Sequence, residues 1–544
     1  MTIDPQQLCV IDCTLRDGGY YNQWDFRSTD VERYLAAVGA AGVDVVEIGF
    51  RGFPQPTFLG PYAYSTDDFL ESLKIPDGVT LGVMANASEL VNHRDGAAAA
   101  VDALFAPASE SPVGLVRIAA HVKEVPACQA ALARLRELGY VAALNLMQVS
   151  RYPAEVITEL GAEIASWGTV EALYFADSLG NMRPADVERC LDALRAGWPG
   201  AVGVHTHDNC GRALANTLAA AERGATWLDA TILGMGRGAG NTRTDFLLFE
   251  LVEAGADQYH PAALVEVTEH EFGDLRRTYG WGTNLHYFMS AAYEVHPTYV
   301  QMMQADDRYG AADIVHALEV LKDLDSHSYD AERLRQAGLG GVTGAGAAGT
   351  WVATGWLAGR DMLVVASGPS IEAHRDELVR YILRTEPAVV CLNARPPIPD
   401  ELVTAYVACH PARIMIEAGL LRELSAPLIA PQATIDAVLG SAAASLEALD
   451  YGISIGDTGF AVTPTGCTSP ALLAIAYAFG LAVSAGAQRI LLAGADGYPA
   501  GDPRHDEMVR VIDEFSRMPG AIEVVALTPT NYPVIQSSLY APRI

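Results

Sequence analysis

The chain has 544 residues, half of them hydrophobic and 19% charged, with 66 acidic against 36 basic side chains and a formal net charge of -30. That length predicts about two to four domains, and that composition predicts large buried cores rather than a disordered chain. The acidic balance, with no long Lys/Arg run, argues against nucleic acid as a partner.

The eight cysteines lack CxxC spacing, which speaks against a disulfide framework or a thiolate zinc site and for a reducing cytoplasm. No basic stretch followed by an apolar one opens the chain, and no run of ~18 apolar residues occurs, so neither secretion nor membrane association is expected.

Apolar runs of strand length lie near 8–12, 43–49, 79–84, 113–119, 140–147, 170–176, 200–205 and 226–233, with helical patterns such as 28–41 and 210–223 between them. Alternating strands and helices in that number predict an α/β fold with a (β/α)8 TIM barrel over residues 1–255. Residues 256–336 read as a helical extension closing the barrel, and 337–360 as a Gly/Ala-rich linker in which Trp351 and Trp356 stand out. Residues 361–544 read as a second, smaller doubly wound, Rossmann-like domain. Its strand candidates are DMLVVASGPS, PAVVCLNA, ARIMIEAG, RILLAGADG and IEVVALTPT.

Three motifs fall at the C-terminal ends of barrel strands, the face where such barrels place chemistry. Arg16 and Asp17, in DCTLRDGG, put a cation and an oxygen ligand side by side where strand one passes into its loop. His205 and His207, two apart on strand seven, point to the same side and can chelate one ion. The glycine-rich loop GMGRGAGN after strand eight can carry Asn241 inward. Each alone is equally at home in a turn or a barrel mouth, but strands one, seven and eight adjoin in a closed barrel. A carboxylate, two imidazoles and an amide without thiolates suit Mn²⁺, Mg²⁺ or Zn²⁺.

DCTLRDGG, VEIGF, HTHDNCGRALAN and GMGRGAGNTRTD together resemble the motif series of the DRE-TIM metallolyases (HMGL-like), most nearly its 4-hydroxy-2-oxovalerate aldolase branch. Hydroxymethylglutaryl-CoA lyases and the 2-isopropylmalate and homocitrate synthases share that series. The resemblance implies that Asp17, His205, His207 and Asn241 hold a divalent metal, Mn²⁺ first among the candidates, and that Arg16 stabilises an enolate oxygen. It places Glu47 near the site, either in the chemistry or as a carboxylate holding Arg16. It also implies an aldehyde-lyase acting through a metal-bound enolate of pyruvate or a related 2-oxo acid, with an aldehyde as second substrate, which the C-terminal region described below makes a candidate for a sugar-derived one. A homo-oligomer is expected. The alternatives are an acyl-CoA-dependent 2-oxo acid synthase and a non-catalytic binding protein that retains the metal.

The chain departs from the aldolase pattern RDGSH: Tyr20 stands in the place of the histidine, and Tyr21 follows. Tyr20, a water on the metal or another group must then move the proton, unless Tyr20 is a packed aromatic lid. LHYFMS resembles the tyrosine-bearing helix that closes the aldolase site, which makes Tyr287 a further candidate for substrate contact.

In the C-terminal region, Ser367-Gly368-Pro369-Ser370, Asn393, the segment 465–470 and Asp496 resemble the MptE-like group and bacterial sialyltransferases. That resemblance implies nucleotide or nucleotide-sugar binding through Gly368, Ser370, Asn393 and Asp496. Ser367 replaces the first glycine of the pattern, so an inactive binding or oligomerisation domain is the other reading.

Overall fold

A computed structural model describes residues 3, 7–306, 309–338, 348–393, 398–456, 459–499 and 501–540. Residues 339–347, most of the glycine-rich half of the expected linker, lie outside this set. The chain divides into two compact units: residues 1–301 with 327–329, and residues 302–326 with 330–544. Residues 302–326 therefore belong to the second unit, although the sequence pattern joins them to the helical extension.

The first unit is a closed barrel of eight parallel strands in chain order. They are β1 (Cys9–Asp12), β2 (Val45–Phe50), β3 (Thr80–Asn86), β4 (Val113–His121), β5 (Val141–Met147), β6 (Ala172–Asp177), β7 (Ala201–Thr206) and β8 (Trp227–Ala230). The TIM barrel expected from the sequence is present. Closure runs through the pairing of β1 with β8, where Ile11 faces Asp229 and Asp12 faces Ala230.

Because strand side chains alternate, every second residue points into the barrel. Ile11, Val45, Leu115, Ala143, Ala172 and Tyr174 form one apolar cluster. Two residues further along, β2 supplies Glu47, β4 supplies Arg117, β7 supplies His205 and β8 supplies Asp229, all buried. Gly203 belongs to this packing, since a Cβ there would lie 2.3 Å from the Tyr174 ring. Nearer the mouth the strands carry the apolar Phe50, Met84 and Ala119.

One local expectation changes. Residues 14–22 form a helix (Thr14–Asn22) directly after β1, so Arg16 and Asp17 sit on a helical turn rather than in an open loop. Asp12 starts it: its Oδ1 accepts the Thr14 N–H at 2.9 Å and the Thr14 hydroxyl at 2.5 Å. The same carboxylate accepts from Tyr34 and Thr244, which fastens the end of β1 to two surrounding helices.

The second unit contains a parallel seven-stranded sheet flanked by helices. Its strands are β9 (Met362–Val365), β10 (Ala388–Leu392), β11 (Ala405–Val407), β12 (Leu428–Ile429), β16 (Ile490–Ala493), β17 (Val524–Ala526) and β18 (Ile535–Gln536). The order is β12-β11-β10-β9-β16-β17-β18, which reverses direction between β9 and β16. A three-stranded sheet of β13 (Gly452–Ile455), β14 (Ala461–Thr463) and β15 (Gly466–Ser469) accompanies it.

The separate parallel-sheet domain is thus present, with two local corrections. ARIMIEAG, read as a strand, lies in a helix, Pro411–Leu421. Pro411 suits a first helical turn, and the buried Ala412, Ile414, Ala418 and Leu421 follow helical spacing. The segment 465–470, read as opening a helix, instead supplies β15. Trp351 and Trp356, at the end of the expected linker, meet edge to face at 5.6 Å and pack against the core of this unit.

Candidate active site

The three barrel motifs converge. Asp17 Oδ2 accepts from Asn241 Nδ2 at 2.5 Å and lies 3.8 Å from His205 Nε2. Asp17, His205 and His207 can each turn one ligand atom toward a common point, and all three are buried together with Asn241. A bridge between His207 and Asn241 fixes the two loops against each other. Gly236 makes room for the amide, because a Cβ there would lie 2.7 Å from Asn241 Oδ1.

Arg16 lies beside this cluster. Its Nη1 donates to Asp17 Oδ1 at 2.7 Å and its Nε to Glu47 Oε1 at 2.6 Å, while Nη2 is buried without a partner. Glu47 spends its other oxygen on Arg117, whose Nε donates to it at 2.5 Å. Arg117 Nη1 in turn donates to both oxygens of Asp229, at 2.9 and 2.8 Å. Asp229 Oδ2 then lies 2.9 Å from His205 Nδ1. A ring of charge runs from Asp17 through Arg16, Glu47, Arg117 and Asp229 to His205, and back to Asp17.

Neither Arg117 nor Asp229 was singled out in the sequence. The available signal was a charged residue inside an apolar strand, two residues past the inward-facing Leu115 or Trp227.

The ring sets the charge states. Burial pushes the Asp17 carboxyl upward, but Arg16 first, then His207 and His205, outweigh it and hold it far below the usual range. Burial likewise opposes ionisation of Glu47 and Asp229, and in both the arginines prevail. Burial drives His207 well below its ordinary value, so its imidazole is neutral at pH 7. Its Nδ1 and the Asn241 Oδ1 are buried without partners.

An ionised carboxylate, a neutral imidazole and unpaired buried lone pairs around one point fit a divalent cation. A second grouping, of Cys13, His205 and Asp229, fits less well. Cys13 donates its proton to Ala230 O, burial raises that thiol well above its usual range, and Asp229 is already committed to Arg117.

Aromatic side chains roof Arg16. Tyr20 meets Trp24 at 4.8 Å and Phe50 at 6.2 Å, and Trp24 Nε1 donates to Arg16 O at 2.9 Å. Tyr20 keeps 38% of its surface exposed, yet desolvation of its hydroxyl, partly offset by Arg237, raises its pKa. Tyr287 is buried on the helix Leu285–Ala292, which Asn284 caps through the Tyr287 N–H at 3.0 Å. Burial pushes the Tyr287 hydroxyl up to about 12, and it hydrogen-bonds Tyr21. Tyr21 also donates to Gly238 O at 2.5 Å.

In the second unit, Gly368, Ser370, Asn393 and Asp496 follow the C-terminal ends of β9, β10 and β16, around the sheet's switch point. Asp496 holds the Ser370 N–H at 2.7 Å and accepts the Ser370 hydroxyl. Gly368 is needed there, since a Cβ would lie 2.4 Å from Gly494 O. Asn393 has φ +63° and donates its N–H to Val407 O at 2.9 Å.

Barrel and cluster define a TIM-barrel protein whose mouth fits a divalent cation beside a buried guanidinium. Residues 7–271 match the HMGL-like family. The 4-hydroxy-2-oxovalerate aldolase of Carboxydothermus hydrogenoformans is 33% identical over 260 residues, covering 47% of this chain and 74% of that protein. The oxaloacetate decarboxylase of Mycobacterium tuberculosis is 29% identical over 258 residues, covering 47% and 73%. Among solved structures, the N-terminal domain of an aldolase candidate from Bacteroides vulgatus aligns with a TM-score of 0.50 at 28% identity, covering 57% of this chain and 100% of that one. The chain belongs to the HMGL-like family.

Proposed function

We propose that the barrel is an aldehyde-lyase that makes or breaks a carbon–carbon bond next to the carbonyl of pyruvate or a related 2-oxo acid, with an aldehyde as the other component. The observation that carries this reading is Arg16. A buried guanidinium, fixed by Glu47 and Asp17, keeps one unpaired N–H at the edge of a cation-fitting cluster.

Asp17, His205, His207 and Asn241 would hold the metal, with Mn²⁺ the first candidate for this set of two oxygen and two nitrogen ligands and Mg²⁺ or Zn²⁺ the others. When bound, it supplies Lewis acidity toward a 2-oxo acid's carbonyl. Arg16 Nη2 donates to the oxygen on which negative charge develops as the bond breaks, and the ring through Glu47 keeps it from swinging away. Glu47 has both oxygens occupied by arginines, so it positions Arg16 rather than exchanging protons. Tyr20 and Tyr287 have raised pKa values and serve as protonated donors to the aldehyde oxygen, Tyr287 by turning away from Tyr21, whose own proton stays on Gly238 O.

A nucleotide-binding role for the second unit rests on the placement of Gly368, Ser370, Asn393 and Asp496 at the switch point. Asp496 already occupies the Ser370 N–H, so an incoming phosphate must displace it.

Metal-dependent exchange of pyruvate methyl protons with D2O tests the barrel reading, with EDTA-treated protein as control and aldehydes or acetyl-CoA added in parallel. Exchange that needs Mn²⁺ and is abolished in Arg16→Ala is expected. Product formed only from acetyl-CoA, without exchange, overturns the aldolase reading.

A further inference from the structure

Arg237 is a second guanidinium at the barrel mouth, with no part in the chemistry above. It lies on the loop after β8 that carries Asn241, four residues before it. The loop is held closely. Gly238 and Gly240 have φ +69° and +91°, and a Cβ on Gly240 would lie 1.9 Å from Gly234 O. Tyr21 donates to Gly238 O, and the Ala239 N–H donates to Asn209 Oδ1 at 3.1 Å. Arg237 is thus displayed from a fixed support.

Its guanidinium lies 5.6 Å from the centre of the Tyr20 ring, and its Nε is buried without a hydrogen-bond partner. The buried arginines of the barrel are each matched by carboxylates, Arg16 by Asp17 and Glu47, Arg51 by Asp67, Arg117 by Glu47 and Asp229, whereas Arg237 is half-buried. Among the described residues no carboxylate forms such a pair with Arg237.

The Tyr20 ring it faces packs with Trp24 and Phe50 in the roof over Arg16, which places Arg237 over the same mouth. A partly desolvated cation without a counter-ion is costly to keep, and a planar guanidinium suits two-point recognition of carboxylate or phosphate oxygens.

We propose that Arg237 recognises an anionic substituent, a carboxylate or a phosphate, on the aldehyde component, so that the second substrate is an acidic aldehyde rather than a neutral one. This rests on the aldolase reading and deepens it. The 2-oxo acid meets Arg16 and the ligand cluster, and the charged end of its partner meets Arg237 across the Tyr20 ring.

The test uses the full chain with Mn²⁺ and pyruvate and pairs each charged aldehyde with a neutral counterpart: succinic semialdehyde with butanal, and glyceraldehyde 3-phosphate with glyceraldehyde. Wild-type protein is expected to prefer one charged member by ~30-fold or more in kcat/KM, and Arg237→Gln is expected to lose that preference through KM, with Arg237→Lys in between. The two pairs distinguish a carboxylate from a phosphate as the ligand. Calorimetric titration with succinate and with glycerol 3-phosphate gives a readout independent of turnover, and Arg237→Gln should weaken whichever binds.

An equal loss with charged and neutral aldehydes, or a raised KM for pyruvate in the D2O exchange, overturns the assignment. Absence of exchange in the wild type would defeat the aldolase reading. In that case the titrations still decide whether Arg237 binds an anion, and no difference between wild type and Arg237→Gln would overturn the proposal too.

Discussion

Asp229 Oδ2 lies 2.9 Å from His205 Nδ1, which leaves the other ring nitrogen, Nε2, facing Asp17. A carboxylate in that position selects the tautomer and aims the ring of a ligating imidazole. Asp229→Asn keeps the shape but offers His205 a weaker, uncharged partner. Mn²⁺ affinity is expected to fall by ~10–100-fold, measured by calorimetry on EDTA-stripped protein whose circular dichroism matches the parent. Equal affinities would mean that Asp229 does not orient His205 for metal.

Arg117 should matter for stability more than its distance from the mouth suggests. It is fully buried and serves Glu47 and Asp229 at once, with its charge over the Tyr174 ring at 4.6 Å. Arg117→Met removes the cation and leaves Asp229 with only His205, and Glu47 with only Arg16. Breaking a buried pair costs ~3–5 kcal/mol, because the abandoned charge cannot return to water. Urea denaturation of the full chain reads this loss, and a loss under ~1 kcal/mol would show that water or rearrangement satisfies the two carboxylates.

Much of this site was visible in the sequence, and the invisible part has a physical reason. Strand positions of the barrel and the convergence of Asp17, His205, His207 and Asn241 follow from alternation and strand order, which residue patterns carry directly. Arg117 and Asp229 lie in apolar strands, and their importance depends on partners 70 and 112 residues away. The helix Thr14–Asn22 was hidden because DCTLRDGG holds two glycines. Those glycines answer tertiary contacts instead, since Cβ atoms would lie 2.8 Å from Met235 at Gly18 and 2.0 Å from the Trp24 ring at Gly19. In the second unit, ARIMIEAG has the apolar content of a strand but the spacing of a helix.

The Gly19 contact gives a prediction opposite to helix propensity. Alanine in a helix interior is normally worth up to ~1 kcal/mol over glycine. Here the added methyl must displace the Trp24 indole, which holds Arg16 O and packs on Tyr20. Gly19→Ala is expected to lower both the melting temperature and the rate of pyruvate exchange. A variant that is more stable with full exchange would show that the indole moves aside freely.

Asp177 provides a pH signature of the barrel itself. It ends β6, accepts the N–H groups of Asn181 at 3.1 Å and Met182 at 3.3 Å, and is fully buried. Burial raises its pKa to about 7, with those N–H groups opposing the rise. An unfolded chain binds the same proton with a pKa of ~3.9. Folding therefore favours the protonated form. The stability Asp177 contributes is complete below about pH 4, is lost as pH rises to about 7, and stays lost above that. Asp177→Asn keeps an acceptor for the N–H groups and cannot ionise. Relative to the parent it should gain little at pH 4 and up to ~4 kcal/mol by pH 8, read from denaturation midpoints across that range. A difference between the two proteins that does not change with pH would show that Asp177 is ionised, and solvated, in the folded barrel.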